Sequence, residues 1–350
     1  MIDSNQVMTK ILKQVVGIDV AQNELVVSLG KVDQSLFTEV YAHKTFANKA
    51  SGFAALLIWI KKHSDQQVTV RYVMEATGVY HEQLAYYLSD LGLEVSIILP
   101  NKISSYMKTL EIKTITDKTA SQAICRLGLE RVLELWQKPK KVFRDLKQLT
   151  RERDQIVAER TIVKNQLHAE QAEAFPNDRS IYRANQRIQL LNEQEREIKK
   201  EIVEFIKTDK GLLEKVELIT SISGVGSLTA VIAIAETNGF ELIRSKKQLV
   251  SFAGLDVISK DSGTSVKGKP RISKRGNRHL RKALHMPSLT AIRNDERFKA
   301  IFVRLVAKHG IKMKATVAVQ RKLLEMIYTI WKTGKPYDKQ YLQKESTLPT

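Results

Sequence analysis

Apolar residues from Val142 through Leu146, Leu149, Ile156 and Val163 to Leu167 keep a four-three spacing, and Ile188, Leu191, Ile198, Ile202 and Phe205 repeat it. Such spacing holds one stripe of a helix apolar, so two long helices joined at Pro176 in "FPND" are predicted. At about 1.5 Å per residue each spans roughly 40–50 Å, more than a compact domain needs, and a projecting helical coiled-coil hairpin is expected. Arg153, Arg160 and Glu195 interrupt the stripe. Seam arginines are tolerated where a partner chain supplies carboxylates, so the hairpin reads equally as a dimerisation arm or as an intramolecular spacer. The change of texture divides the chain into residues 1–136, 137–210 and 211–345.

The first region alternates short strands and helices. "QVVGIDV" (14–20) and "ELVVSLG" (24–30) are β-branched runs parted by "AQN", followed by a third strand at 37–46, a helix at 49–63, a strand at 68–74 ending at Glu75, a helix at 81–92 and a strand at 94–100. That order predicts an α/β layer in which ligands gather beyond strand ends. Asp19 and Glu75 stand at two such ends, where packing alone would not choose carboxylates, and together they offer hard oxygen ligands suited to Mg²⁺. Asp117 opens a further helix; it reads as a third ligand or as a helix N-cap. The single cysteine, Cys125, can form no internal disulfide and reads as buried packing.

The third region is predicted to be mostly helical. In "ITSISGVGSLTAVIAIA", Gly224 and Gly226 separate two apolar stretches as in a helix-hairpin-helix element, which brings backbone N–H groups against a phosphate; the alternative is a tight turn that touches nothing. Lys and Arg number 57 against 38 Asp and Glu, a net charge of +19. Residues 257–285 hold nine Lys or Arg and one Asp, so +8 of that excess falls in 29 residues. Lys267, Lys269, Arg271, Lys274, Arg275, Arg278 and Arg281 in this segment are candidate phosphate contacts. Ser262 lies among them between Asp261 and Gly263, where neighbouring cations would stabilise charge on a phosphorus centre under attack. No apolar run approaches the length of a membrane span, and the start lacks the apolar core of a signal peptide, so a cytoplasmic protein without membrane partners is expected.

Taken in order, "GIDVAQNEL", "VMEATGVY", "KTITDKTASQAI", "ISGVGSLTA" and "FAGLDVISKDSGTSVKGKPRISKRGNRHLRKAL" resemble the motifs of the DEDD-type insertion-sequence transposases, whose relatives include a site-specific DNA invertase and RNA-guided bridge recombinases. The resemblance runs over nearly the whole chain. It implies a RuvC-like (RNase H-like) N-terminal domain, a coiled-coil hairpin and a C-terminal transposase domain bearing a catalytic serine. Carried onto the matching positions, Asp19, Glu75 and Asp117 bind Mg²⁺, and Ser262 attacks a DNA phosphodiester to leave a covalent phosphoserine. Donor and target DNA, a bridge noncoding RNA, and a homodimer or homotetramer in which domains of different protomers meet are the implied partners, in a bacterial, nucleoid-associated setting. Where the family has a fourth acid, three residues after the third, this chain has Ala120. Water, Ser121, Gln122 or Glu111 could take its place. A Mg-dependent structure-specific nuclease and a catalytically impaired RNA- or DNA-binding descendant are the alternative functions.

Overall fold

The computed structural model describes residues 10–76, 78–110, 112, 114–258, 261–262, 266–267 and 271–338, with backbone only at 261–262 and 266–267. The chain forms two compact units that divide after Lys138.

The first unit is built on a five-stranded sheet of β1 (Ile11–Val20), β2 (Glu24–Asp33), β3 (Thr38–Ala47), β4 (Val70–Glu75) and β5 (Glu94–Ile98), in the order β3-β2-β1-β4-β5. The first three strands pair antiparallel, and β1 runs parallel to β4 and β4 to β5. Three meandering strands continued by two parallel crossovers are the arrangement of an RNase H-like fold, in agreement with expectation. The helices are α1 (Ala50–His63), α2 (Glu82–Asp90), α3 (Pro100–Met107) and α4 (Asp117–Glu130). Strand β5 stops at Ile98, short of the expected residue 100, because Pro100 occupies the first turn of α3, where its missing N–H costs nothing.

Strand periodicity sorts the sheet's two faces. Val16, Ile18, Val20, Tyr72 and Met74 belong to one apolar cluster with residues of α1 and α2, whereas Val15 and Val73 belong to a second with residues of α3 and α4. Ile18 and Met74 are fully buried, each contributing about 1.5–3 kcal/mol to stability. On the α4 face Gly17 allows an unusually close approach: a Cβ there would fall onto the backbone at Cys125 N and Ser121 O. Helix α4 therefore lies directly on β1, and the Cys125 Sγ donates to the Val15 carbonyl at 3.2 Å. Burial pushes that thiol up to about 12, which fits a packing cysteine and not a nucleophile.

The second unit begins with α5 (Lys141–Ala172) and α6 (Asp178–Lys207), 32 and 30 residues long, which pack against each other as an antiparallel hairpin. There follow α7 (Lys210–Thr220), α8 (Ser227–Glu236), α9 (Lys246–Phe252), the two-residue strands β6 (Val257–Ile258), β7 (Asp261–Ser262), β8 (Val266–Lys267) and β9 (Arg271–Ile272), then α10 (Arg278–Ala283), α11 (His285–Asn294), α12 (Glu296–His309) and α13 (Lys312–Thr333). Helix α8 is the centre: Ala230 to Ala235 are all buried, and the core gathers around them from α5, α7, α9 and α13. The hairpin's base, with Phe143, Leu146, Ile202 and Ile206, is part of that core, while Val163, Ala184 and Leu191 form a small cluster of their own further out.

The charged interruptions in the hairpin stripe answer one another. Glu195 of α6, only 7% exposed, takes Arg153 at 2.9 Å, Arg160, and Lys199 at 2.8 Å. Burial raises its pKa, but the hydrogen bonds from Lys199, Arg153 and Arg160 prevail and hold it at about 2. The seam arginines thus find their carboxylate in their own hairpin, and a partner chain is not required to explain them.

Candidate catalytic and nucleic-acid sites

Alternation along β1 and β4 places Asp19 and Glu75 on the same face as Val15 and Val73, the face that α4 covers. Ile18 stands beside Met74 in the parallel register, so the next residues, Asp19 and Glu75, lie side by side at the carboxyl ends of adjacent strands. Helix α4 starts at Asp117 above that end. Its cap is made by Thr116, whose hydroxyl accepts from Thr119 N at 3.2 Å while Thr119 Oγ1 accepts from Thr116 N at 2.8 Å. Asp117 is therefore the first helical residue and not the N-cap, and its carboxylate is not consumed in capping.

Burial pushes Asp19 up to about 6, and the charges of Asp117 and then Glu75 push in the same direction. Three carboxylates gathered toward one sheet end, two of them raising the pKa of the third, have the donor chemistry of a hard divalent ion. Among the described residues no three His, Cys, Asp or Glu side chains are close enough together to hold a metal as they stand. The residues fit such an ion, which Asp19, Glu75 and Asp117 would hold.

Of the groups that could replace a fourth acid, Ser121 is excluded by geometry. It is fully buried, 2.8 Å from Ser28 Oγ, and donates to Lys118 O at 2.9 Å. Glu111 lies outside the described residues. Ala120 is partly exposed on α4, one turn beyond Asp117.

In the second unit, Ser262 falls in β7, which pairs with β8 so that Ser262 stands opposite Val266 and Asp261 opposite Lys267. The side chains of Ser262 and Lys267, and all of Lys269, lie outside the described residues. Arg271, Lys274, Arg275 and Arg278 are exposed. Arg281 is not wholly free, since its Nη1 donates to Ala253 O at 2.7 Å and Gly276 O at 3.1 Å, closing the turn before α10. Gly224, at φ 88°, has a packing reason: a Cβ would strike Pro287 O at 2.7 Å and Ala291 N at 2.9 Å on α11. Gly226, the uncapped N-cap of α8, is open, with nothing within 4 Å of where a Cβ would be.

What sequence reasoning missed is how this cationic segment is anchored. Glu236, at the buried end of α8 with 1% of its side chain exposed, accepts from Arg151 Nε at 2.8 Å and Nη2 at 2.9 Å, and from Asn277 Nδ2 at 2.6 Å. Asn277 in turn caps α10 by accepting from His279 N and Leu280 N. Asp154 holds the same helix through Lys282 at 3.2 Å and His279 at 3.3 Å. A lone acid closing the apolar run "AVIAIAE" was the available signal.

Residues 16–176 match a family model described as "Transposase", of the DEDD IS110 type, and residues 216–302 match the model "Transposase IS116/IS110/IS902 family". The "Pilin gene-inverting protein" of Moraxella bovis is 30% identical over 336 residues, covering 93% of this chain and 98% of that protein. The "Transposase for insertion sequence element IS1111A" of Coxiella burnetii is 23% identical over 292 residues, 76% of this chain and 78% of the relative. Among solved structures, Thermus thermophilus RuvC in complex with a Holliday junction substrate aligns at 9% identity over 35% of this chain and 99% of its own, with a TM-score of 0.27, too slight to bear on function.

Proposed function

We propose a mechanism from one premise: this chain belongs to the IS116/IS110/IS902 family of transposases and is a DNA transposase or recombinase. Site-specific insertion, excision or inversion proceeds through a serine ester. The Ser262 Oγ attacks a DNA phosphorus, the bond to the departing 3′ oxygen breaks, the hydroxyl proton leaves to solvent, and a 5′-phosphoserine remains. The ester conserves the energy of the broken linkage, so the strand is resealed by attack of a 3′-hydroxyl without ATP. Asp19, Glu75 and Asp117 would hold Mg²⁺, and the chemistry that ion would supply is polarisation of the phosphoryl group and offset of the charge that develops on its oxygens. Arg271, Lys274, Arg275 and Arg278, continued by Lys267 and Lys269, grip backbone phosphates, with the open backbone at Gly226 acting as the helix-hairpin-helix contact.

Functionally the chain keeps the division into residues 1–136, 137–210 and 211–345, the middle part a coiled-coil hairpin, and the protein assembles as a homodimer or homotetramer. A bridge noncoding RNA pairs with donor and target DNA, which suits a net charge of +19 spent on backbone and duplex shape instead of base edges. The relative named as a gene-inverting protein supports exchange at defined sites. The observation that carries the proposal is the placement of Asp19 and Glu75 at adjacent strand ends, with burial and then the charges of Asp117 and Glu75 raising the pKa of Asp19.

The test incubates the full chain with donor and target duplexes, Mg²⁺ and the transcript flanking its gene, and resolves products on denaturing gels. A protein-linked DNA strand is expected from the natural chain and none from Ser262→Ala; exchange by Ser262→Ala overturns the serine mechanism. Ala120 favours one second reading, a catalytically impaired nucleic-acid binder. Mg²⁺-dependent exchange by the unaltered chain eliminates it.

A further inference from the structure

Beside α8 in the second unit lies a cleft of about 620 Å³ that, Arg281 apart, none of the candidate phosphate contacts lines. Its apolar lining is Leu228, Ile232, Met286 and Pro287, and its polar lining includes Arg153, Arg281, Lys282, His285 and Gln320. We propose that this cleft is a nucleotide pocket, which takes one unstacked base with its phosphate from a single strand of DNA or RNA. The proposal rests on the nucleic-acid reading of the chain but not on the serine chemistry.

The size is that of a small-ligand site, about 300–1,000 Å³, and too large for a phosphate alone. Its two kinds of lining match the two ends of a nucleotide. Met286 is 66% exposed, a large apolar side chain left in water unless a flat apolar face covers it, and methionine adapts readily to such a face. Pro287 and Ile232, both buried, make a firm floor behind it. At the rim, Lys282 is 55% exposed, with its ammonium 3.2 Å from Asp154 Oδ1, and an incoming phosphate would share that ammonium with the carboxylate. Three cations against the one carboxylate of Asp154 leave the lining with a net positive charge. Gln320, 5% exposed, lies with its Nε2 3.0 Å from His285 Nδ1; with the amide donating, the imidazole keeps its proton on Nε2 as a donor for a base edge.

The position adds to the case. Lys282, in α10, and His285, at the start of α11, close the cationic segment, so a strand gripped by Arg275 and Arg278 would pass the mouth of the cleft. Bases in a duplex are stacked and paired and cannot enter; a displaced strand or an unpaired guide loop can.

The experiment measures binding of the full-length protein to fluorescein-labelled single strands, one of DNA and one of RNA, each against a duplex of the same sequence at fixed salt. Met286→Glu puts a carboxylate on the apolar side of the cleft at an exposed position that the fold tolerates. The ratio of single-strand to duplex affinity is expected to fall about tenfold, the effect of losing one stacked base. A fall with DNA alone assigns the displaced strand, with RNA alone the guide, and with both a shared site; no fall with either overturns the proposal. In a second measurement, strands carrying 5-iodouracil are photocrosslinked to the natural protein, and the attachment is expected within residues 282–287. Attachment confined to other segments overturns the pocket even where Met286→Glu weakens binding. Neither readout needs Ser262, so failure of the serine mechanism and failure of the pocket are separable.

Discussion

Replacing Arg151 by Met would strand the Glu236 carboxylate inside the second unit. With 1% of its side chain exposed, Glu236 has no water to turn to, and only the Asn277 amide would remain of its three donated hydrogen bonds. Breaking a buried pair from one side costs about 3–5 kcal/mol; because Arg151 is itself 42% exposed and part of its attraction is screened, about 3 kcal/mol is expected. With an m-value of about 2–3 kcal/mol/M the urea midpoint should fall by roughly 1–1.5 M. Trp331, its ring tilted against that of Phe240 beside this unit's core, reports the transition once Trp59 and Trp136 of the first unit are changed to Phe. The pH dependence has a definite sign. Burial raises Glu236, but the hydrogen bonds from Arg151 and Asn277 outweigh it and the folded pKa is lowered, so its contribution is full above the unfolded value of about 4.3 and is lost as pH falls through the folded one. The deficit of Arg151→Met should therefore be full at pH 7 and smaller at pH 4, where the stranded carboxylate protonates. Glu236→Gln leaves no buried charge and should cost only about 1–2 kcal/mol, with little change over that range. A deficit below about 1 kcal/mol at pH 7, or one equal at the two pH values, would refute the assignment of Glu236 as the anchor.

Gly17→Ala drives a methyl group into the α4 backbone at Cys125 and Ser121, which cannot yield, so the first unit should lose about 3 kcal/mol or more; a melting temperature equal to that of the natural chain would contradict the close packing. Ala120→Asp adds a carboxylate one turn from Asp117 and should lower the Mg²⁺ concentration for half-maximal strand exchange severalfold, so an unchanged or higher requirement counts against the acid cluster as the ion site. Glu195 titrates near 2 when folded against about 4.3 unfolded, so the hairpin's stability from its three cations should hold above about pH 4.3 and fall away toward pH 2; Glu195→Ala, followed by hydrogen exchange over α5 and α6, should remove that acid-dependent loss.

The elements of the first unit were legible because each strand and helix writes its own period, and Asp19 and Glu75 stood out as acids at strand ends. The hairpin was legible for the same reason, down to its charged interruptions. That Arg153 and Arg160 meet Glu195 was not, since two helices in antiparallel register are related by no local spacing. Asp117 was ambiguous for a related reason: Thr116 and Asp117 are both good caps, and only the backbone conformation of Thr116 decides between them. Gly224 and Arg281 drew attention as nucleic-acid contacts, and their packing duties depend on Pro287, Ala253 and Gly276, some of which are distant in the chain.

The sequence by itself determined the five strands of the first unit and most of the helices between them, the two long helices of the hairpin, the concentration of positive charge in residues 257–285 and the identity of the acids, because these follow from local periodicity and composition. Only the tertiary structure decided that Asp19, Glu75 and Asp117 share one sheet end, that Ser121 turns away from it, and that α8 carries the anchor of the cationic segment. Those outcomes depend on which residues distant in the chain come within a few ångströms, and long-range contact is set by the packing of whole layers, which no window of sequence contains.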